Sequence, residues 1–252
     1  MSAASIVRRN WLVYWRAWRS SFFLSVLTPL MFLSAMGLGL GSLVQEEGAF
    51  GGAGYLKFFA TGIFAASCMQ SGVFSATYPV MGKITWQRNY EAMLASPLSV
   101  RNIFFGELGW MAVTLAQISI PFFGIMALFD VFDSPTAILA VPIVILLGLS
   151  CAAPVFALTA TLQTDEAYTW LFRFVVTPLF LLSGTFFPIE ELPAWGRVLA
   201  QATPLYHGVE LVRQFTIFDV GISALWHVAY LVGLLTAGIL VGVRNLERRL
   251  LP

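Results

Sequence analysis

Six apolar runs, each bounded by charged or turn-forming residues, dominate this sequence: 21–43, 56–80, 103–129, 136–162, 168–187 and 224–243. A helix needs about 20 mostly apolar residues to cross the hydrocarbon of a bilayer. No water is present there to satisfy backbone N–H and C=O groups, so apolar runs of this length cross as helices. The pattern predicts an all-α integral membrane fold with six transmembrane helices. Composition agrees: 58% of residues are hydrophobic, 11% are charged and the mean hydropathy is +0.81. Ordinary soluble domains hold about 45–50% apolar and about 25% charged residues. The six runs leave little chain for a soluble domain, so residues 1–252 read as one transmembrane domain.

Lys and Arg are retained on the cytoplasmic side of a membrane, which orients the spans. With the N-terminus inside, Arg8, Arg9, Arg16, Arg19, Lys83, Arg88, Arg101, Arg173, Arg244, Arg248 and Arg249 share the inner side. Lys57, Arg197 and Arg213 are left outside. The expected topology therefore places both termini in the cytoplasm. The first apolar run follows a basic stretch, as in a signal peptide, but it is long and Gly37-Leu38-Gly39-Leu40-Gly41 makes a poor cleavage site, so it reads as a retained span.

Three segments outside the runs carry further information. In 4–20, helical periodicity gathers Arg8, Arg9, Arg16 and Arg19 on one arc and Trp11, Tyr14, Trp15 and Trp18 on its neighbour. This predicts an interfacial helix whose arginines meet anionic headgroups and whose tryptophans sit at the hydrocarbon boundary. In the inside loop 83–100, Tyr90, Met93 and Leu94 follow i, i+3, i+4 spacing beside Arg88 and Glu91 and ahead of Pro97. The spacing predicts a short helix with one apolar edge, which either docks in a partner's groove or lies on the membrane surface. The outer stretch 188–215 is aromatic and apolar but broken by Pro188, Pro193 and Pro204. Two short helices, 192–202 and 205–215, are expected to enter the outer leaflet and return, covered by protein or lining a wet path.

Single residues add expectations. Glu107 lies a few residues inside the third run, where a lone charge costs about 2.5–3.5 kcal/mol at the bilayer centre, and Arg173 is its candidate partner. His207 and His227 read as separate structural histidines. Neither they nor Cys68 and Cys151 offer a metal-ligand pattern. Pro121, Pro142 and Pro154 are expected to kink the third and fourth spans. Gly238-x-x-x-Gly242 allows a close helix approach. A net charge of +1 argues against a nucleic-acid partner.

Taken together, the basic amphipathic start, the loop Thr85-Trp86-Gln87-Arg88-Asn89-Tyr90-Glu91-Ala92-Met93-Leu94, and Thr177-Pro178-Leu179-Phe180-Leu181-Leu182-Ser183-Gly184 running into Phe187-Pro188 and Leu192-Pro193 resemble the permease subunits of ABC-2 type exporters. Gly106-Glu107 and Pro204-Leu205-Tyr206-His207-Gly208 are similar to the NodJ-type members. The resemblance implies a type V exporter fold in the bacterial cytoplasmic membrane. It implies a homodimer working with two copies of a separate cytoplasmic ATPase, surrounded by membrane lipid and moving an amphiphilic substrate. Arg88, Tyr90, Glu91, Met93 and Leu94 would then form the helix that couples to the ATPase. Asp165 and Glu166 would make a second contact, and the motif with Ser183, Gly184, Pro188 and Pro193 would cap the path. ATP and Mg would be bound by the partner, with no cofactor in this chain. The sequence contains no Gly-x-x-x-x-Gly-Lys-Ser/Thr loop, which fits a subunit that is not itself an enzyme.

Two other function classes fit less well. An ion-coupled secondary transporter needs acids near the midplane of its spans, and a membrane-embedded enzyme needs polar catalytic groups converging at one depth. The apolar runs carry neither pattern.

Overall fold

The computed structural model describes residues 3–15, 18–35 and 54–251. Arg16 and 36–53 lie outside the described residues, as does the Trp18 side chain. The described chain is helical throughout: α1 Ala3–Tyr14, α2 Trp18–Ser34, α3 Tyr55–Trp86, α4 Asn89–Leu94, α5 Val100–Leu128 and α6 Pro135–Thr159 come first. They are followed by α7 Glu166–Leu171, α8 Thr177–Leu182, α9 Ala194–Gln201, α10 Pro204–Thr216 and α11 Ser223–Leu250.

Four of these, α3, α5, α6 and α11, are long and apolar enough to cross a membrane. Among the described residues, the other two expected spans are shorter. Helix α2 has 17 residues, and the expected 21–43 run continues beyond it into undescribed residues. In place of the expected 168–187 span is an irregular helix that ends at Leu182, in which a π-turn, Phe172–Val176, joins α7 to α8.

The irregularities follow proline chemistry, though not at all the prolines expected. Helices α5 and α6 run on through Pro121 and Pro154, and Pro142 falls in the first α-helical turn of α6, where its missing N–H costs least. The breaks come at Thr77, two residues before Pro79, and at the π-turn ahead of Pro178. Proline cannot donate to the carbonyl four residues back, and a turn that takes up one extra residue accommodates the loss. A second π-turn, Gly82–Trp86, ends α3, with Gln87 N–H donating to the Gly82 carbonyl at 2.8 Å.

Helix α3 is the axis of the bundle. It packs along α6, and the two backbones approach so closely that a Cβ on Gly72 would lie 2.3 Å from the Gly148 carbonyl oxygen. Helix α11 lies against the far side of α6, with Gly238 facing Pro154 and Gly242 facing Phe104, so this small-residue stripe serves a contact within the chain.

The core divides into two clusters, one at each end. One gathers Phe59, Phe64, Leu115, Phe122, Leu147, Leu205 and Val209. The other gathers Ile6, Val80, Ile84, Tyr90, Phe104, Phe156 and Leu246. The second cluster sits at the end where Arg8, Arg9, Lys83, Arg88, Arg101, Arg248 and Arg249 collect, called here the basic end.

Candidate functional site

At the basic end, α1 lies along the first half of α5, with Ile6 buried against Gly106. This places Glu107, one position further and 1% exposed, beneath α1. Its carboxylate is paired, but not with Arg173. Lys83 Nζ, from the π-turn of α3, reaches Glu107 Oε2 at 2.5 Å, and Asn10 Nδ2 donates to the same oxygen at 3.4 Å. Arg173 points outward from the π-turn Phe172–Val176 and is exposed. Lys83 lies within the π-turn Gly82–Trp86, an irregularity that helical periodicity alone does not foresee.

Tyr90 completes the group. Its side chain is fully buried and its hydroxyl interacts with the Glu107 carboxylate, although among the described residues neither that hydroxyl nor Glu107 Oε1 makes a hydrogen bond of ordinary geometry. Burial, and then the nearby Glu107 carboxylate, push the Tyr90 phenol well above its ordinary pKa, against a smaller opposing effect of Arg9. The phenol therefore stays protonated, an O–H donor beside the Glu107 carboxylate. Met93 accepts a long contact from the Arg9 guanidinium, 3.9 Å to Sδ. Helices α1, α3, α4 and α5 thus converge on one carboxylate.

This corrects the reading of the short helix. Residues Asn89–Leu94 do form a helix, entered through Arg88 in a left-handed conformation with φ 49°. Its apolar edge, however, is turned inward: Tyr90 is buried, and Met93 and Leu94 are half-buried against the second core cluster. The exposed face is Arg88, Glu91, Ala92 and Ala95, with Trp86 63% exposed beside it. Spacing identifies a face that will be covered but does not say whether the cover is a partner or the chain itself. Asp165 and Glu166 are both exposed, at the start of α7.

Above the Lys83–Glu107 pair a cleft of about 750 Å³ opens between α1, α3 and α5. The spacing i, i+4, i+7 brings Trp110, Thr114 and Gln117 of α5 to it, and Gln70, Ser71, Phe74 and Ser75 of α3 face them. Tyr14 and Phe172 close its sides. Aromatic walls, carboxamides and hydroxyls above a charged floor suit a ligand that is part apolar and part hydrogen-bonding. Of the cleft residues only Tyr14, Lys83 and Glu107 were named from sequence, because polar side chains scattered through apolar runs carry no local signal.

At the opposite end the proline-bounded motif is held by buried polar contacts. Ser183 Oγ lies 2.8 Å from Thr203 Oγ1, and Thr203 caps α10 by accepting from Tyr206 N–H. Gly184, at φ 77°, turns its carbonyl towards Arg213, whose Nη2 donates at 2.7 Å. Arg213 is 4% exposed; it also donates to the Phe58 carbonyl, stacks over the Phe58 ring at 3.5 Å and pairs with Glu210 at 3.6 Å. Pro188 and Pro193 stand immediately before a 3-10 turn and α9. The two histidines expected to be separate meet, Nδ1 to Nδ1 at 2.6 Å, with Tyr230 stacked on His207. Neither Arg213 nor the histidine pair stood out from sequence spacing.

The ABC-2 type transporter family matches residues 2–216. The chain belongs to that family. Curated relatives of this ABC-2 permease extend over almost its whole length. It is 31% identical over 251 residues to Nodulation protein J of Rhizobium leguminosarum bv. trifolii, covering 96% of this chain and 94% of that protein. It is 29% identical over 252 residues to Nodulation protein J of Rhizobium meliloti, covering 96% and 95%. A more distant relative is the "Probable multidrug ABC transporter permease YbhR" of Escherichia coli, 25% identical over 184 residues, covering 68% of this chain and 47% of that one. Together with its four long apolar helices, this makes the chain an integral membrane protein of the ABC-2 permease type.

Proposed function

We propose that this chain is the membrane subunit of an ATP-driven exporter that moves an amphiphile such as a lipo-oligosaccharide, lipid, glycan or hydrophobic drug across the cytoplasmic membrane. It works as a homodimer with two copies of a separate ATPase, which binds the ATP and Mg. Six crossings, with α2 and the irregular Glu166–Leu182 segment as the two short ones, put both termini in the cytoplasm. Helices α9 and α10 enter and leave the outer leaflet over the exit, while α1 lies in the inner interface.

The observation that carries this reading is the cleft whose charged floor is shared with α4. Arg88 and Glu91 face outward, where an ATPase would bear on them, while Tyr90 of the same helix lies beside Glu107, whose other carboxylate oxygen is held by Lys83 at the base of the cleft. Closure of the ATPases on ATP would press α4 inward. The displacement would pass through Tyr90, Met93 and Leu94 to α5 and α1, which wall the cleft. Asp165 and Glu166 would bear on the same partner.

The test is reconstitution with the ATPase. Glu91→Arg should abolish substrate-stimulated ATP hydrolysis while leaving the permease folded. Substrate stimulation that survives both Glu91→Arg and Arg88→Glu would remove α4 from the coupling path. Transport driven by an ion gradient without any ATPase would favour a secondary transporter instead.

A further inference from the structure

Three elements end together at the basic end: the π-turn of α3, the turn after α6 and the last turns of α11. Between them lies an open pocket of about 620 Å³, separate from the cleft. Its polar side chains are Thr85, Thr161, Gln163, Asn245, Arg248 and Arg249: two guanidinium groups, two hydroxyls, two carboxamides and no carboxylate.

Arg249 is committed to this place. Its guanidinium donates to the Ala160 carbonyl at 3.2 Å, to the Leu162 carbonyl, and to Thr85 Oγ1 at 3.4 Å. All three acceptors are neutral. Ion pairs among the described residues join Lys57 to Asp133, Lys83 to Glu107, Arg101 to Glu247 and Arg213 to Glu210. Neither Arg248 nor Arg249 has a carboxylate partner among them. Glu247, the nearest acid on α11, is turned to Arg101, and the exposed Asp165 and Glu166 do not line the pocket. Two permanent positive charges therefore flank a polar cavity, and neither is paired with a carboxylate among the described residues. Arg249 still has two unused N–H donors directed by a fixed plane.

The depth of the pocket indicates which anion meets it. Trp86, next to Thr85, is 63% exposed, and Trp170, just beyond the turn that carries Gln163, is 67% exposed. Exposed tryptophans on a membrane protein settle at the headgroup level. Arg244, one turn before Arg248, is exposed on the same face of α11 and extends the basic stripe. Phosphate is the anionic group concentrated at that depth, and planar guanidinium donors fit its oxygens.

We propose that this pocket binds the phosphate headgroup of an anionic phospholipid, clasped between Arg248 and Arg249 and hydrogen-bonded by the Gln163 carboxamide. The bound lipid joins the end of α11 to the end of α3. The inference needs only that the chain is embedded in a membrane, and stands apart from the export reading.

The test uses the full-length permease in vesicles of phosphatidylcholine with spin-labelled phosphatidylglycerol or spin-labelled phosphatidylcholine. The immobilised fraction should favour phosphatidylglycerol several-fold. Arg248→Gln should reduce that preference towards one, Arg248→Lys should keep most of it, and Arg173→Gln, which changes an exposed arginine outside the pocket, should leave it intact. Size-exclusion elution and helical circular dichroism establish that each variant is folded. No preference in the wild type, a preference unchanged by Arg248→Gln, or one lost equally with Arg173→Gln would overturn the proposal. So would displacement of the lipid by inorganic phosphate at the same concentration as a short-chain phosphatidylglycerol, which would make the ligand a soluble phosphate. Loss of ATPase co-purification in Arg248→Gln with lipid preference unchanged would assign the pocket to the partner protein, and also overturns it.

Discussion

Glu107 is the residue on which most of the basic end depends. A carboxylate with 1% exposure is tolerated because Lys83 and Asn10 hold one oxygen, and removing one member of a buried pair leaves the other uncompensated. Lys83→Met should destabilise the protein by about 3–5 kcal/mol, seen as a lower unfolding midpoint in detergent. Adding Glu107→Gln should restore most of that loss, whereas Arg173→Met, which changes an exposed side chain, should leave the midpoint close to wild type. Tyr90 makes a prediction about pH. Its folded-state pKa is raised, so the folded protein holds this proton more tightly than the unfolded chain. That contribution is fully present below the ordinary tyrosine value near 10 and is lost as pH rises above it. The alkaline decline in stability should accordingly be smaller in Tyr90→Phe, measured as the difference in unfolding midpoint between pH 8 and about pH 11. Sequence reasoning found Glu107 through its place in an apolar run but assigned the wrong cation, because the partner is set by a local irregularity in α3.

At the scale of elements, α4 separates two faces that the sequence spacing merges. Leu94 belongs to the covered face and Glu91 to the open one. Leu94→Asp should therefore lower stability by burying a charge against the second core cluster. Glu91→Arg should leave the midpoint within about 0.5 kcal/mol of wild type and act on coupled hydrolysis alone. Comparing unfolding midpoints with ATPase stimulation in the two variants checks this split. The contact between α3 and α6 is equally specific. Gly148→Val would drive side-chain atoms into Leu115 and the Cys68 carbonyl, and loss of the folded, monodisperse protein is expected by size-exclusion chromatography. The short helices α4, α9 and α10 fall within two residues of their expected bounds, because proline and polar breaks mark their ends. The π-turns left no such mark: Phe172–Val176 lies ahead of Pro178, but Gly82–Trp86 follows Pro79 and has no proline directly after it.

For the whole molecule, two core clusters joined through α3 and α6 hold apart an amphiphilic cleft at one end and the proline-bounded motif at the other. Gln117→Leu and Trp110→Ala should each weaken transport or raise the substrate concentration needed for half-maximal ATPase stimulation, with basal hydrolysis retained. Equal substrate dependence in wild type and both variants would take the cleft out of the pathway. The motifs around 85–94 and 177–193 indicated the family, and hydropathy was sufficient to indicate a helical membrane protein and, within three residues, the starts of its four long helices. Those properties depend on the transfer of local segments between water and lipid, which each segment settles largely by itself. The tertiary structure alone decided that Lys83 rather than Arg173 neutralises Glu107, that Tyr90 faces inward, that His207 meets His227, and that Arg249 is held by neutral acceptors. Each of these depends on how helices distant in sequence rotate and approach, and in an apolar solvent that is set by the fit of small residues and by the few polar groups that must find one another.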